Sequence, residues 1–321
     1  MKKFFKVCAI IVLVLVIVGG IMFGSSMALS GTENLSKAAT EISDGWLTFD
    51  LTEGIHINIG NSNVENFLKD NAIYNIEEAD MFDKEHDIWK GNVEKTLLAE
   101  GGIKEWNLEL GGCAFELKDS GDNAYYVEYE GKGKSQAYVN GEKLYIRVLN
   151  GSDWNVGNTT ECLTLYVPMN LVVEEIEADL GAGQMMLDDL MVKSLALNLG
   201  AGQVTAQNLQ AEKLSVSVGA GEIILKEAQL KDVDVEVGAG NCEIEGTITG
   251  NVDAECAMGN LTFELTCKEK DFNYDLQCVT GNITVGDKEY SGLAQEQNIN
   301  NNAAKTIEVE CAMGNVEIMF E

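Results

Sequence analysis

A glycine-bracketed triplet returns every 19 residues in the second half of the chain: Gly-Ala-Gly stands at 181–183, 200–202, 219–221 and 238–240, and Ala257-Met258-Gly259 continues the register. A fixed period of this length marks a stacked repeat, whose unit buries its apolar face only against its neighbours. Two looser copies follow at Val279-Thr280-Gly281 and Ala312-Met313-Gly314, after insertions of 3 and 14 residues, making seven rungs.

The residues around each triplet say what kind of rung it is. Three positions before the last small residue stand Leu180, Leu199, Val218, Val237, Cys256, Cys278 and Cys311, apolar in every copy. Two positions after it come Met185, Val204, Ile223, Cys242, Leu261, Ile283 and Val316, and two further on Leu187, Ala206, Leu225, Ile244, Phe263, Val285 and Ile318. Polar residues such as Asp179, Asn198, Glu236 and Glu255 alternate with these columns, and a period of two means strand. Each rung therefore reads as strand, tight turn, strand. Glycine suits the turn because it enters positive φ freely and lets neighbouring coils approach closely. Coils about 4.8 Å apart would make seven rungs a column of roughly 30 Å. Gln184, Gln203, Glu222, Asn241, Asn260, Asn282 and Asn315 follow the turn; stacked amides there can hydrogen-bond up the column, and Asn also simply suits a turn.

The fold class expected is all-β, a parallel β-solenoid preceded by an N-terminal membrane helix. From about Trp106 onward, Leu108-Glu109-Leu110-Gly111-Gly112, the strands Tyr125–Tyr129 and Gln136–Val148, Leu165-Tyr166-Val167-Pro168 and the Gly-Ala-Gly rungs resemble the bacterial putative-adhesin family of β-strand-repeat proteins. The resemblance covers about two-thirds of the chain. It implies a single-stranded right-handed β-helix with a membrane anchor, in a domain of unknown function to which no catalytic residues are attached.

Lys2, Lys3 and Lys6 precede an uncharged apolar run, Val7–Phe23, the pattern of a secretory signal or a signal anchor. A signal's apolar region is usually about 7–15 residues and a spanning helix wants roughly 17–25. Retention as an anchor is the expectation, with cleavage after Ser26-Met27-Ala28 as the alternative. The lysines keep the N-terminus in the cytoplasm, which predicts a single-pass protein of the cell membrane with its solenoid on the extracytoplasmic side. The organisation read from the sequence is 1–29 anchor or signal, 30–45 polar linker, 46–105 unassigned and 106–321 solenoid. Trp46–Ile59 alternates like strand, Asn140-Gly141 reads as a hairpin turn, and the Asn- and Gln-rich stretch Ser291–Ala304 reads as a loop bulging from one face.

Charge narrows the partners. With 52 Asp plus Glu against 22 Lys plus Arg, a net charge of -30 opposes approach to nucleic acid phosphates or anionic lipid. It favours divalent cations and basic partners, and it also simply solvates a surface. Carboxylates recur outward of the strand before the turn, at Glu177, Asp179, Asp234, Glu236, Asp253, Glu255, Asp275, Glu308 and Glu310. Stacked like charges repel, so Asp234, Glu236, Asp253 and Glu255 are the candidate metal residues, with weak calcium binding the only cofactor expected.

Catalytic signals are sparse. Gly181-Ala182-Gly183 lacks the third glycine of a dinucleotide fingerprint, since Met186 stands there. Glu85-His86-Asp87 is the sole acid–histidine cluster, and a solvated loop explains it as well. The cysteines show no C-x-x-C spacing for zinc. Cys256, Cys278 and Cys311 read as small core hydrophobes or as a disulfide between adjacent rungs. The function expected is a non-enzymatic, membrane-anchored envelope surface protein, adhesin-like or an envelope-sensing scaffold, meeting a protein or polysaccharide partner. The alternatives are a carbohydrate-active β-helix enzyme and a self-assembling structural protein, the latter through an open strand edge at Val316–Phe320.

Overall fold

The structure is a computed structural model that describes residues 47–51, 55–59, 82–149, 161–169, 171–291 and 294–320. The expected anchor Val7–Phe23 and linker 30–45 lie outside the described residues. Among the described residues no helix is long and apolar enough to cross a membrane. The chain divides into two compact units, Met1–Met81 and Phe82–Glu321. In the first, β1 (Leu47–Leu51) pairs antiparallel with β2 (Ile55–Ile59), in keeping with the alternation read there.

Among its described residues the second unit is all β apart from a 3-10 turn at Glu269–Asp271. It opens with β3 (Trp89–Lys90), β4 (Val93–Ala99), β5 (Glu105–Leu110), β6 (Ala114–Asp119), β7 (Tyr125–Glu130), β8 (Lys134–Asn140), β9 (Lys143–Leu149) and β10 (Cys162–Val167). The regular rungs follow as β11 (Val172–Leu180), β12 (Gln184–Met186), β13 (Met191–Leu199), β14 (Gln203–Gln207), β15 (Gln210–Val218), the long β16 (Glu222–Val237), β17 (Asn241–Ile248), β18 (Val252–Cys256) and β19 (Asn260–Leu265). The remainder is β20 (Phe272–Cys278), β21 (Asn282–Val285), β22 (Lys288–Ser291), β23 (Gln295–Ile299), β24 (Lys305–Cys311) and β25 (Asn315–Phe320).

Two parallel ladders run the length of this unit. Before the turn the order is β9–β5–β11–β13–β15–β16–β18–β24–β20. After it the order is β10–β6–β12–β14–β16–β17–β19–β25–β21, with the two halves of β16 serving the two ladders. The seven rungs of the repeat thus gain two more, β9–β10 and β5–β6, in which the glycine pattern is worn away. Antiparallel strands close both ends: β7 and β8 cover β10 and β9, with β4 and β3 outside them, and β22 and β23 cover β21 and β20. Asn140-Gly141 is the expected hairpin turn, with Gly141 at φ 65°.

The inward columns form one core. Leu197, Leu199, Val204, Val216, Ile223, Val235 and Ile244 are each at most 3 % exposed, and a core-facing aliphatic side chain contributes about 1.5–3 kcal/mol on burial. Alternation breaks at Lys193-Ser194, Glu212-Lys213 and Lys231-Asp232, where two successive side chains face outward and the coil turns a corner. A further corner recurs with the repeat period at Asp189, Asn208 and Glu227, all left-handed (φ 54°, 58° and 52°), and at Gly246.

Three expectations are corrected. The last rung does not lie at the end of the stack: β24 and β25 slot between the coil of β18 and β19 and that of β20 and β21, so the cysteine column runs Cys256, Cys311, Cys278. Val316–Phe320 is therefore no open edge, because β25 is paired on both sides. The stretch read as a bulging loop supplies β23, whose backbone hydrogen-bonds to β20 and satisfies an edge that would otherwise stand bare. The turn glycines owe their identity to close approach alone, since their φ values stay out of the left-handed region and a Cβ would strike the coil below.

Candidate functional site

The outward positions of the pre-turn ladder bring the predicted carboxylates together. Register places Ser215, Asp234, Asp253, Glu308 and Asp275 in one row across successive coils, and Ser217, Glu236, Glu255, Glu310 and Gln277 in the next. Asp234, Glu236, Asp253 and Glu255, the candidate metal residues, thus occupy two rows on two adjacent coils. Glu177 and Asp179 share the rows but lie toward the other end, beyond Ala196 and Asn198. The intercalation of β24 was not visible in the sequence, and it concentrates the charge by moving Glu308 and Glu310 directly against Asp253 and Glu255.

Beside this face lies a shallow concavity lined by Lys213, Asp232, Asp234, Asn251, Asp253, Thr306 and Glu308 among others. Its floor is a staircase of side-chain to backbone bonds. Asp232 Oδ1 accepts the Asn251 N–H at 3.1 Å and Asn251 Oδ1 accepts the Thr306 N–H at 3.0 Å. Lys213 is the cation at its rim, in register with Asp232. Among the described residues no group of three or more His, Cys, Asp or Glu side chains is arranged to hold a metal ion. The carboxylate rows form a distributed field that repeats at the coil spacing.

The amide column behind the turn is real where asparagines meet: Asn260 Nδ2 donates to Asn241 Oδ1 at 2.9 Å, and Asn315 Nδ2 to Asn260 Oδ1 at 3.1 Å. Gln203 Nε2 likewise donates to Glu222 Oε2 at 2.7 Å. These bonds follow spatial rather than chain order and hold neighbouring coils in register.

The acid–histidine cluster turns out to be a structural clasp. The His86 ring stacks on Tyr138 with centroids 3.8 Å apart and planes 12° apart, and Tyr138 stacks on Tyr145 at 4.9 Å. Gln136, fully buried, accepts the Asp83 N–H at Oε1 and donates Nε2 to the Asp83 and His86 carbonyls. The Glu85 N–H and then His86 hold the Asp83 carboxyl below its ordinary value. Arg147 completes the clasp, donating to Tyr138 Oη at 3.1 Å and to Glu109 Oε1 at 2.9 Å. With the Tyr138 ring held between His86 and Tyr145, the stack and the Gln136 bonds pin the Asp83–His86 segment to β8.

The Toastrack DUF4097 family matches residues 103–266 and 169–319, together more than half of the chain. No curated protein matches it. Among solved structures, a putative adhesin from Bacteroides fragilis NCTC 9343 is similar at 9% identity and TM-score 0.38, over 73% of this chain and 97% of that one. A putative cell adhesion protein from Clostridium sporogenes ATCC 15579 is similar at 14% identity and TM-score 0.30, over 74% and 100%. A putative lipid binding protein from Parabacteroides distasonis ATCC 8503 is similar at 15% identity and TM-score 0.36, over 73% and 94%.

Proposed function

The chain belongs to the Toastrack DUF4097 family, and from that premise we propose a non-enzymatic, membrane-anchored surface protein that binds through the outer faces of its solenoid. The observation that carries this reading is the pair of in-register outward rows, Asp234–Asp253–Glu308–Asp275 and Glu236–Glu255–Glu310, on one continuous ladder. Repeated charges at the coil spacing suit a polyvalent contact with an extended basic protein or polysaccharide, in the manner of an adhesin or an envelope-sensing scaffold. The charged sequence Lys2, Lys3 and Lys6 followed by Val7–Phe23 supports an anchor at the cell membrane with the solenoid outside. The winding we infer is a single-stranded right-handed β-helix, since one chain lays down each coil and parallel crossovers take that hand.

Protease treatment of intact cells expressing the full chain tests the topology. The solenoid should be digested while the chain sediments with membranes. Protection of the solenoid in intact cells overturns the reading, as does a soluble chain in the medium beginning at Leu29. Attachment of the same cells to a basic surface should fall when Glu236, Asp253 and Glu255 are changed to Gln, Asn and Gln, and unchanged attachment removes the acidic face from the proposal.

A further inference from the structure

Cys311 stands in register with Cys256 on one side and with Cys278 on the other. All three are free thiols, each at most 2 % exposed. In-register Cα atoms on neighbouring parallel strands lie about 4.8 Å apart, within the roughly 4.4–6.8 Å over which disulfides form. Cys256 and Cys278 are two coils apart, about 9.6 Å, and outside that range.

The sulfurs lean the right way. The Cys256 Sγ overhangs Gly314, in the coil of Cys311, where an added Cβ would meet it at 2.5 Å. The Cys311 Sγ overhangs Gly281, in the coil of Cys278, at 2.6 Å. In the regular rungs the same space is filled by Leu199, Val218 and Val237 over the next glycine. Cysteine therefore replaces the aliphatic residue only where the chain leaves sequential order.

We propose that Cys311 is a disulfide-forming site with two alternative partners, Cys256 and Cys278, so that oxidation staples the intercalated C-terminal coil to one neighbour and leaves the third thiol free. The oxidant is a small-molecule disulfide such as oxidised glutathione. One protein sulfur attacks its S–S bond, releasing one small thiol and forming a mixed disulfide; the second protein sulfur then displaces the other small thiol. The two protons and two electrons of the protein dithiol end on the two released thiols. Because the site is buried, exchange takes place while β24 is still outside the stack, and closure of the coil shields the product.

The test is refolding of the full chain from denaturant in a glutathione redox buffer, followed by alkylation of remaining thiols, digestion and peptide mass mapping. Links Cys256–Cys311 and Cys278–Cys311 are expected, each leaving the third thiol alkylated. Cys278→Val should give only the first link, Cys256→Val only the second, and Cys311→Val neither. A predominant Cys256–Cys278 link overturns the proposal, as does full alkylation of all three residues in the wild-type chain.

Discussion

A Cβ added at Gly221 would come within 2.5 Å of the carbonyl oxygen of Gly202, its counterpart one coil below. That carbonyl cannot move aside, because it accepts the Glu222 N–H at 3.0 Å. At Gly238, the first glycine of its triplet, the contact is longer: a Cβ would meet the Gly219 carbonyl oxygen at 2.9 Å, and alanine already stands at this position in Ala257 and Ala312.

Gly221→Ala should therefore destabilise the solenoid by about 1–3 kcal/mol, the usual cost of overpacking. Gly238→Ala should cost less, since its contact with the Gly219 carbonyl oxygen is longer at 2.9 Å and removing glycine from the unfolded chain returns about 0.4–1 kcal/mol. Urea unfolding midpoints of the two variants decide the matter, and equal losses would show that the two glycine columns are equivalent.

The left-handed corner gives the opposite kind of change. Glu227 holds φ 52° where Asp189 and Asn208 hold 54° and 58°; a left-handed conformation costs an ordinary residue roughly 1–2 kcal/mol and Asn much less. Asn208 Nδ2 already donates to Asp189 Oδ1 at 2.8 Å, so Glu227→Asn can extend an existing bond from coil to coil. The expected result is a gain of about 1 kcal/mol in the unfolding free energy, and a loss would mean that the Glu227 side chain contributes more than its backbone strain costs.

These two corners explain what the sequence shows and hides. The glycine turn is legible because a single residue type satisfies the close approach in coil after coil. The left-handed corner is not, because Asp189, Asn208 and Glu227 meet one backbone requirement with three residue types. The inward columns are legible from alternation alone, whereas the order Cys256, Cys311, Cys278 is not, since each of the three coils offers its neighbours the same apolar and glycine pattern. The carboxylate face is legible row by row; its crowding by Glu308 and Glu310 follows from that hidden order. The His86–Tyr138–Tyr145 stack left no periodic trace to read, because its members come from an irregular segment and a hairpin.

Acidic rows predict a salt response. Like charges in register at a surface repel, and added salt screens them, so the thermal midpoint should rise with sodium chloride. Calcium at about millimolar concentration should raise it further than sodium at matched ionic strength. Changing Glu236, Asp253 and Glu255 to Gln, Asn and Gln should remove the difference. Equal action of the two cations on the unaltered chain would leave the face as a screened surface with no preference for divalent ions.

Alkaline pH should unfold the protein well before its backbone chemistry is at risk. Burial pushes the Cys242 thiol up from 9.0 to about 12, with Glu243 adding to the shift, and burial raises Tyr125 from 10.0 to about 12. Burial moves Cys113, Tyr129 and Tyr274 in the same direction. In each case folding favours the neutral form, so the unfolded chain gives up its protons first as pH rises. Stability is then intact below the unfolded values, declines from about pH 9, and continues to decline until the folded groups ionise near 12. Each such group contributes a slope of at most about 1.4 kcal/mol per pH unit. Cys242→Val keeps the apolar volume and removes one of these groups, so its urea midpoint should match the parent at pH 7 to within a small packing cost and fall less steeply above pH 9. Parallel decline of the two proteins between pH 9 and 11 would show that the Cys242 thiol ionises as readily in the folded core as in the unfolded chain.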